Sequence, residues 1–278
     1  VPAEDTGVVE KYPFPKLNTY GYDSELDTGW GNRFEIWKYG YVLNKINNFD
    51  FQLVIESEYW PEFDYIDIPY LKTDYINDIN SKVLPKNLDI LDKTKNWYMD
   101  DSIFYCIAGE SPYKIPTLKL KDKKLDTTIR KKLKNSVGIH IRLKNWKSTE
   151  NVELGFMQDY ERNPKPLYDY CDSLIKKVDN FYISTDIIRE DLPNLKESNN
   201  KFLKEFYNRY ETIDYSDIYE VNNKPLRDVI DLFSLIYCDT FIVGQSSWSG
   251  FVENYRREIN NNRNHRIEME YINAHDIR

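Results

Sequence analysis

From residue 125 to residue 259 the sequence alternates between amphipathic stretches of helix length and short apolar stretches of strand length. Strands that alternate with helices predict a parallel sheet with helices on both faces. Ligands of such sheets bind beyond the carboxyl ends of the strands. The helical patterns cover 125–135, 165–178, 224–239 and 248–259, and the strand patterns cover 136–143, 180–186 and 240–247.

The alternation is weaker in the first half of the chain. Residues 1–28 are punctuated by Pro, Gly and Asp and predict an extended lead-in with little regular structure. Helical spacing over 33–46 and an apolar run over 51–56 predict one helix-to-strand step. The Tyr-rich stretch 57–118 contains one predicted strand, at 102–109.

We therefore predict an α/β chain of two Rossmann-type domains with a boundary near 125–135. Residues 1–130 form the N-terminal α/β domain with its extended lead-in, and residues 131–278 form a nucleotide-type domain. An apolar content of 41% in 278 residues is sufficient for a real core in each.

The net charge of −8 disfavours binding to nucleic acid or to an anionic membrane, because such surfaces need Lys and Arg in excess. The basic cluster at 130–134 is short and surrounded by acids. We interpret it as a solvated helix end.

Three cysteines, Cys106, Cys171 and Cys238, show no CxxC spacing. They predict neither a disulfide framework nor a zinc site, and reduced core cysteines favour a cytoplasmic location. No apolar run is long enough for a membrane span, and the N-terminus lacks a signal-peptide pattern. The chain begins with Val rather than Met. The alternative is therefore an excised catalytic region from which a membrane anchor has been removed.

The stretch "GIHIRLKNW" at 138–146 places His140 and Arg142 two residues apart at the end of a predicted strand. Positions i and i+2 of a strand share a face, so both side chains are expected to converge on one ligand. A guanidinium matches the oxygens of a diphosphate. Taken alone, such a pair is more often a core histidine and a salt-bridged arginine.

Polar residues also follow two neighbouring predicted strands. Asp186 ends "YISTD", and Ser246 and Ser247 precede the last helix. Each can bind a ligand, through a carboxylate or through hydroxyls beside free backbone N–H groups, and each can equally be a helix N-cap. Asp231 interrupts the apolar face of the helix at 224–239, where an unpaired carboxylate is costly. We therefore expect a partner or a ligand for Asp231.

Three segments together resemble the donor-binding half of the GT-B fucosyltransferases that use GDP-fucose. In chain order they are "GIHIRLKNW", "FYISTD" and "VIDLFSLIYCDTFIVGQSSWSGFVENY", and their spacing also matches. Among these enzymes, the chain resembles the α-1,6-fucosyltransferases and the nodulation fucosyltransferases. "TGWGNRFEIWKYGYVL" is similar to the Gly-Asn loop and helix of related enzymes. The resemblance implies a GT-B-like fold with the donor site in the C-terminal domain and the acceptor at the N-terminal domain.

The resemblance implies a role for individual residues. It places Arg142 of the HxR motif on the β-phosphate of the donor, Asp186 near the nucleotide and Asp231 on the guanine. The remaining matches are His140 of the same motif, the turn of Ser246 and Ser247 beside the diphosphate, and the aromatic Tyr170.

In the α-1,6 group a Glu ten residues beyond the motif histidine is the proposed base, and Glu150 lies at that offset here. Glu153 and Asp159 are competitors, because the length of the intervening loop is open. An inverting transfer needs such a carboxylate and a positive charge at the leaving diphosphate. With Arg142 in that role, no divalent metal and no other cofactor is expected.

The predicted function is thus an inverting transfer of fucose from GDP-fucose to the hydroxyl of a glycan or oligosaccharide. Two alternatives stay open: transfer of another nucleotide sugar, and an inactive module that binds sugar or nucleotide. Leu143, Lys144 and Asn145 stand where the family has a further basic residue and an acid, and Trp248 replaces a polar residue.

Overall fold

The computed structural model divides the chain into two compact units. The first comprises Val1–Thr28, Glu35–Trp60 and Tyr70–Ile115, and the second comprises Gly29–Phe34, Pro61–Pro69 and Pro116–Arg278. In the part of the chain that the structure describes, no helix has the length and apolar character of a membrane span. The residues described are 16–18, 38, 41, 52–55, 61–68, 71–73, 82–83, 97–98, 117–141, 163–185, 195–197, 200–221, 223–244, 247–259, 261 and 263–267.

Strands and helices are numbered here in chain order. The strands are β1 (Lys16–Asn18), β2 (Gln52–Ile55), β3 (Ile66–Asp67), β4 (Leu71–Thr73), β5 (Lys82–Val83), β6 (Trp97–Tyr98), β7 (Lys119–Leu120), β8 (Ser136–Ile141), β9 (Asn180–Thr185), β10 (Thr212–Ile213), β11 (Thr240–Val243) and β12 (Asn264–Arg266). The helices are α1 (Lys123–Lys132), α2 (Lys165–Leu174), α3 (Lys201–Arg209), α4 (Tyr215–Ile218), α5 (Lys224–Tyr237) and α6 (Ser247–Glu258). Short 3₁₀ turns lie at Pro61–Asp64 and Leu195–Glu197, and Lys38 and Tyr41 are also helical.

The first unit contains a five-stranded sheet in the order β4-β2-β1-β6-β5, and every neighbouring pair is parallel. Its middle strand, β1, lies within the stretch 1–28, where we expected an extended lead-in with little regular structure. That expectation was wrong for Lys16–Asn18. Three residues are too few to show a strand periodicity between Pro and Gly, so the sequence pattern did not reveal this strand.

The second unit contains a second all-parallel sheet, in the order β10-β9-β8-β11-β12. The antiparallel pair β3 and β7 also belongs to this unit. The chain enters the large sheet at its middle strand, β8, and moves outward through β9 to β10. It then returns to β11 on the other side of β8 and ends at β12. The alternating pattern of the sequence correctly predicted a parallel sheet here.

Helices cover both faces of the second sheet, as alternate strand residues reveal. Gly138 and Tyr182 lie side by side in β8 and β9 and face α5, because Tyr182 hydrogen-bonds to Asp231 of that helix. Phe181 faces the other side and packs edge-on against Phe206 of α3. Helices α1 and α6 pack against α5. The sheet is thus the middle layer of an α/β/α arrangement.

Capping side chains fix the beginnings of four helices, among them α4, where Asp214 accepts a hydrogen bond from the backbone N–H of Ser216. Asp122 accepts hydrogen bonds from the backbone of α1, Asn200 from that of α3, and Asn223 from that of α5. Caps of this kind stabilise a helix by about 1 kcal/mol. Pro225, in the first turn of α5, costs nothing because its missing N–H would have had no partner within the helix.

The predicted elements of the second half correspond to α1, β8, α2, β9, α5, β11 and α6, with ends displaced by a few residues. The sequence pattern missed α3, β10, α4 and β12. The strand predicted at 102–109 lies outside the described residues, as does the helix at 33–46 apart from Lys38 and Tyr41.

The predicted domain boundary between 130 and 131 falls inside α1. That helix packs against α5 and belongs to the second unit. The assignment of acceptor and donor roles to the two halves stays a prediction.

Candidate functional site

The strand order of the second sheet reverses between β8 and β11. In open α/β sheets, the crevice at the carboxyl ends of the strands at such a reversal is the preferred ligand site. Strands β8, β9 and β11 end at Ile141, Thr185 and Val243, which the strand register places at one edge. Helix α6 begins at Ser247, just beyond the end of β11, so its N-terminus also lies at this edge.

His140 occupies this edge and is held on two sides. Its Nδ1 lies 3.2 Å from Oγ of Ser184, its register neighbour on β9. The ring of Trp248, in the first turn of α6, lies 6.4 Å from the imidazole between centroids and is tilted by 57°. His140 is only 8% exposed. The hydrogen bond and the aromatic contact therefore fix the orientation of the imidazole before any ligand arrives.

Helix α5 runs antiparallel to the strands, because its C-terminal end lies at the amino edge of the sheet. There the backbone N–H of Asp239 donates to the carbonyl of Ser136, the first residue of β8. A Cβ at Gly138 would lie 2.6 Å from Sγ of Cys238. The N-terminal half of α5 therefore points towards the carboxyl edge that carries His140.

Asp231 lies in the middle of α5 and is 6% exposed. The hydroxyl of Tyr182 donates a hydrogen bond to Oδ1 of Asp231. Burial raises the pKa of Asp231 to about 7, although the Tyr182 hydrogen bond and the charge of Arg227 oppose the increase. Burial, followed by the charge of Asp231, likewise raises the pKa of Tyr182, so this phenol remains the donor. The sequence-based expectation that Asp231 has a partner is therefore correct.

A pair of buried charged residues, Arg227 and Asp228, lies one helical turn before Asp231. Nε and Nη2 of Arg227 both donate to Oδ1 of Asp228, at 3.3 and 3.0 Å. Both residues are only 9% exposed, and the guanidinium lies 5.7 Å from the centroid of the Tyr215 ring. Buried charges of this kind are rare without a partner or a ligand.

Tyr170 lies on α2, across the sheet from His140 and Asp231. Its ring stacks on His265 of β12 with 3.7 Å between centroids and an angle of 6°. His265 is the register neighbour of Ile242, which pairs with Ile139. Burial raises the pKa of Tyr170 and lowers that of His265. The structure therefore brings His140 and Asp231 to one face of the sheet and does not bring Tyr170 to them.

Most other predicted site residues lie outside the described part of the chain. For Ser247 the structure describes only the backbone, which begins α6. Arg142 directly follows the last residue of β8 in the sequence, and Asp186 directly follows the last residue of β9. The residues outside the description are Arg142, Glu150, Glu153, Asp159, Asp186 and Ser246.

Sequence reasoning missed Ser184 and the pair of Arg227 and Asp228, and it noted Trp248 only as a departure from the family pattern. Ser184 had a detectable signal, since a parallel pairing of "GIHIR" with "FYISTD" sets it beside His140. The signal for Arg227 was a charged residue four positions before Asp231, on the same helix face. His140, Ser184 and Arg227 supply hydrogen-bond donors, Asp231 supplies an acceptor, and Trp248 supplies an aromatic surface. This combination suits a polar ligand with an aromatic part.

No family profile matches the chain, and no curated protein matches it in sequence. Among solved structures, it is similar to two crystal structures of POFUT1. The complex with GDP-fucose gives 11% identity and a TM-score of 0.36, over 63% of this chain and 55% of that one. The complex with GDP gives 12% identity and a TM-score of 0.38, over 77% and 67%. Similarity at these TM-scores carries no argument about fold or function.

Proposed function

We propose that this protein is a GT-B-like nucleotide-sugar glycosyltransferase. It transfers fucose from GDP-fucose, with inversion, to a hydroxyl of a glycan or oligosaccharide. The observation that carries the proposal is the pre-oriented imidazole of His140, with Trp248 beside it, at the strand reversal of a parallel sheet. Such crevices bind nucleotides in many α/β proteins. The choice of fucose and of guanine follows from the sequence resemblance alone.

The proposed reaction is a single displacement. The acceptor oxygen attacks the anomeric carbon while the bond from that carbon to the phosphate oxygen breaks. Glu150 takes the proton of the acceptor hydroxyl, and the bonding electrons leave with the diphosphate. Arg142 and the N-terminus of α6 stabilise the negative charge that develops there. His140 binds and orients the donor, and the protein needs no metal in this scheme.

Thermal unfolding of the full chain with GDP, UDP and ADP tests donor binding. A ligand that binds only the folded state stabilises it by about 2.7 kcal/mol at a concentration of 100 Kd. We expect GDP to raise the melting temperature and His140→Ala to remove that increase. Failure of all three nucleotides to shift the melting temperature would contradict the proposal.

Single-turnover transfer from GDP-fucose to a mixture of oligosaccharide acceptors tests the chemistry. Arg142→Ala should abolish GDP binding, whereas Glu150→Gln should retain GDP binding and lose transfer. Full activity in Glu150→Gln would refute the base assignment, and Glu153→Gln and Asp159→Asn would then identify the base. If the unmodified chain binds GDP without transfer or donor hydrolysis, it is a binding module instead.

A further inference from the structure

An open pocket of about 360 Å³ lies in the groove between α2 and α3. Among the described residues, its walls are Tyr168 of α2 and Glu205, Asn208 and Arg209 of α3. Its volume falls within the range of small-molecule sites, about 300 to 1,000 Å³. Helices α2 and α3 cover the face of the sheet opposite α5. The pocket is therefore separate from the crevice that holds His140.

The guanidinium of Arg209 is fixed at the wall of this pocket. Its Nε donates to Oδ1 of Asp172 at 3.2 Å, and its Nη2 donates to Oδ2 of the same carboxylate. The guanidinium carbon lies 4.9 Å from the centroid of the Tyr168 ring. The hydrogen bond raises the pKa of Arg209 and lowers that of Asp172. Arg209 therefore stays charged in one orientation, while 47% of its side chain remains exposed.

Glu205 and Asn208 present polar groups that a ligand can reach. A Glu four positions before an Arg on a helix usually forms an ion pair with it. Here Arg209 binds Asp172 instead, and the Glu205 carboxylate lies 3.7 Å from Nζ of Lys201 with 51% of its side chain exposed. Asn208 is also exposed, and its amide has no hydrogen-bond partner among the residues that the structure describes. The pocket thus offers a carboxylate and an amide beside the guanidinium.

Tyr168 supplies the aromatic wall of the pocket. Its ring lies parallel to that of Phe202, with 6.0 Å between centroids and an angle of 2°, and tilted against Phe206 and Tyr210. Its hydroxyl is buried and, over the described residues, has no hydrogen-bond partner. A buried hydroxyl in this state costs about 1 to 3 kcal/mol, and Phe would fill the same space without that cost. A phenol kept at this position is consistent with a polar ligand.

We propose that this pocket is a second binding site and that its ligand is a neutral carbohydrate. Sugar hydroxyls both donate and accept, so they pair with the carboxylate of Glu205, the amide of Asn208 and the guanidinium of Arg209. The C–H groups of a sugar ring pack against the apolar surface of Tyr168. Glu205 repels an anionic ligand and Arg209 repels a cationic one, which leaves a neutral polyol as the best fit. This inference does not depend on the proposed function.

Saturation-transfer NMR of the full chain with matched trisaccharides tests the site. The neutral probes are chitotriose and galactotriose, and their charged counterparts are the cationic glucosamine trimer and the anionic trigalacturonate. We expect saturable binding of at least one neutral probe, with a Kd of about 1 mM or lower, and none of the charged probes. Absence of binding by both neutral probes, or equal binding of a charged counterpart, would overturn the inference.

Substitutions at exposed helix positions locate the bound sugar. Asn208→Ala and Glu205→Ala should each weaken its binding by about 10-fold. Neither should lower the stability in urea unfolding, because Ala is the best helix former, so lost binding does not reflect lost folding. Glu211→Ala, an exposed acid just beyond α3, is the matched control and should leave the affinity unchanged.

Unchanged sugar affinity in both pocket variants would place the sugar elsewhere and overturn this inference. GDP binding should be the same in all three variants, because the pocket lies across the sheet from His140. Absence of GDP binding by the unmodified chain would contradict the proposed function and leave the sugar measurement as the test of this pocket.

Discussion

Replacing Asp231 with Asn should change how stability depends on pH. In the folded protein, burial raises the pKa of Asp231 from its ordinary value of 3.8 to about 7. Asp231 therefore holds its proton over a pH range in which the unfolded chain has released it. The stability that comes from this proton is fully present below about pH 4 and is lost as the pH rises through 7. The pKa of Asp231 differs by about 3 units between the folded and the unfolded chain, which corresponds to a contribution of about 4 kcal/mol to the free energy of unfolding.

Urea unfolding of the full chain at pH 5 to 8 measures the effect. Asp231→Asn has nearly the same shape, still accepts from Tyr182 and has no proton to lose. The free energy of unfolding of the unmodified chain, minus that of Asp231→Asn, should fall by about 2.5 kcal/mol between pH 5 and pH 7.5. Tyr182→Phe removes a hydrogen bond that lowers the pKa of Asp231, so it should move the fall to higher pH. Parallel pH dependences in the unmodified chain and Asp231→Asn would refute the reasoning.

Two further predictions concern the packing of α5. Gly138→Ala places a Cβ 2.6 Å from Sγ of Cys238, so we expect a loss of about 1 to 3 kcal/mol in urea unfolding, and Cys238→Ala should restore part of it. Arg256→Ala removes a buried guanidinium whose Nη1 binds three carbonyls at the end of α5 at 2.7 to 2.9 Å, and should cost about 3 kcal/mol or more. Arg257→Ala, at the half-exposed neighbouring position, should lower the free energy of unfolding by less than about 1 kcal/mol. An equal loss in both variants would contradict the idea that Arg256 stabilises the end of α5 by binding its carbonyls.

The second sheet was predictable because its elements are long enough to show a period. Strands β8 and β9 have six residues each, and α5 has fourteen. Short elements had no such signal: β10 has two residues and α4 has four. Helix α3 was missed although its buried residues, Phe202, Leu203 and Phe206, follow helical spacing. Its exposed polar residues between "NLKESNN" and "NRYET" resemble a loop.

The candidate site was predicted in part for a similar reason. His140 and Asp231 stood out because each interrupts an apolar pattern, and the structure brings both to the same face of the sheet. The signals for Ser184 and Arg227 were weaker. Ser184 meets His140, 44 positions away, only when β8 and β9 pair in parallel, and Arg227 binds Asp228, the next residue along α5. Which face of the sheet a helix covers is also a tertiary property. The sequence could therefore not show that Tyr170 lies opposite His140.

Calorimetric binding of GDP to the unmodified chain, His140→Ala and His265→Ala tests the central claim most directly. His265 is the matched control because it lies in the same sheet and its ring stacks on Tyr170 of α2, the helix layer across the sheet from α5. We predict saturable binding of one GDP, a loss of affinity of at least about 10-fold in His140→Ala, and no change in His265→Ala. Absence of GDP binding, or equal affinity in all three proteins, would contradict a nucleotide site at the carboxyl edge of the second sheet.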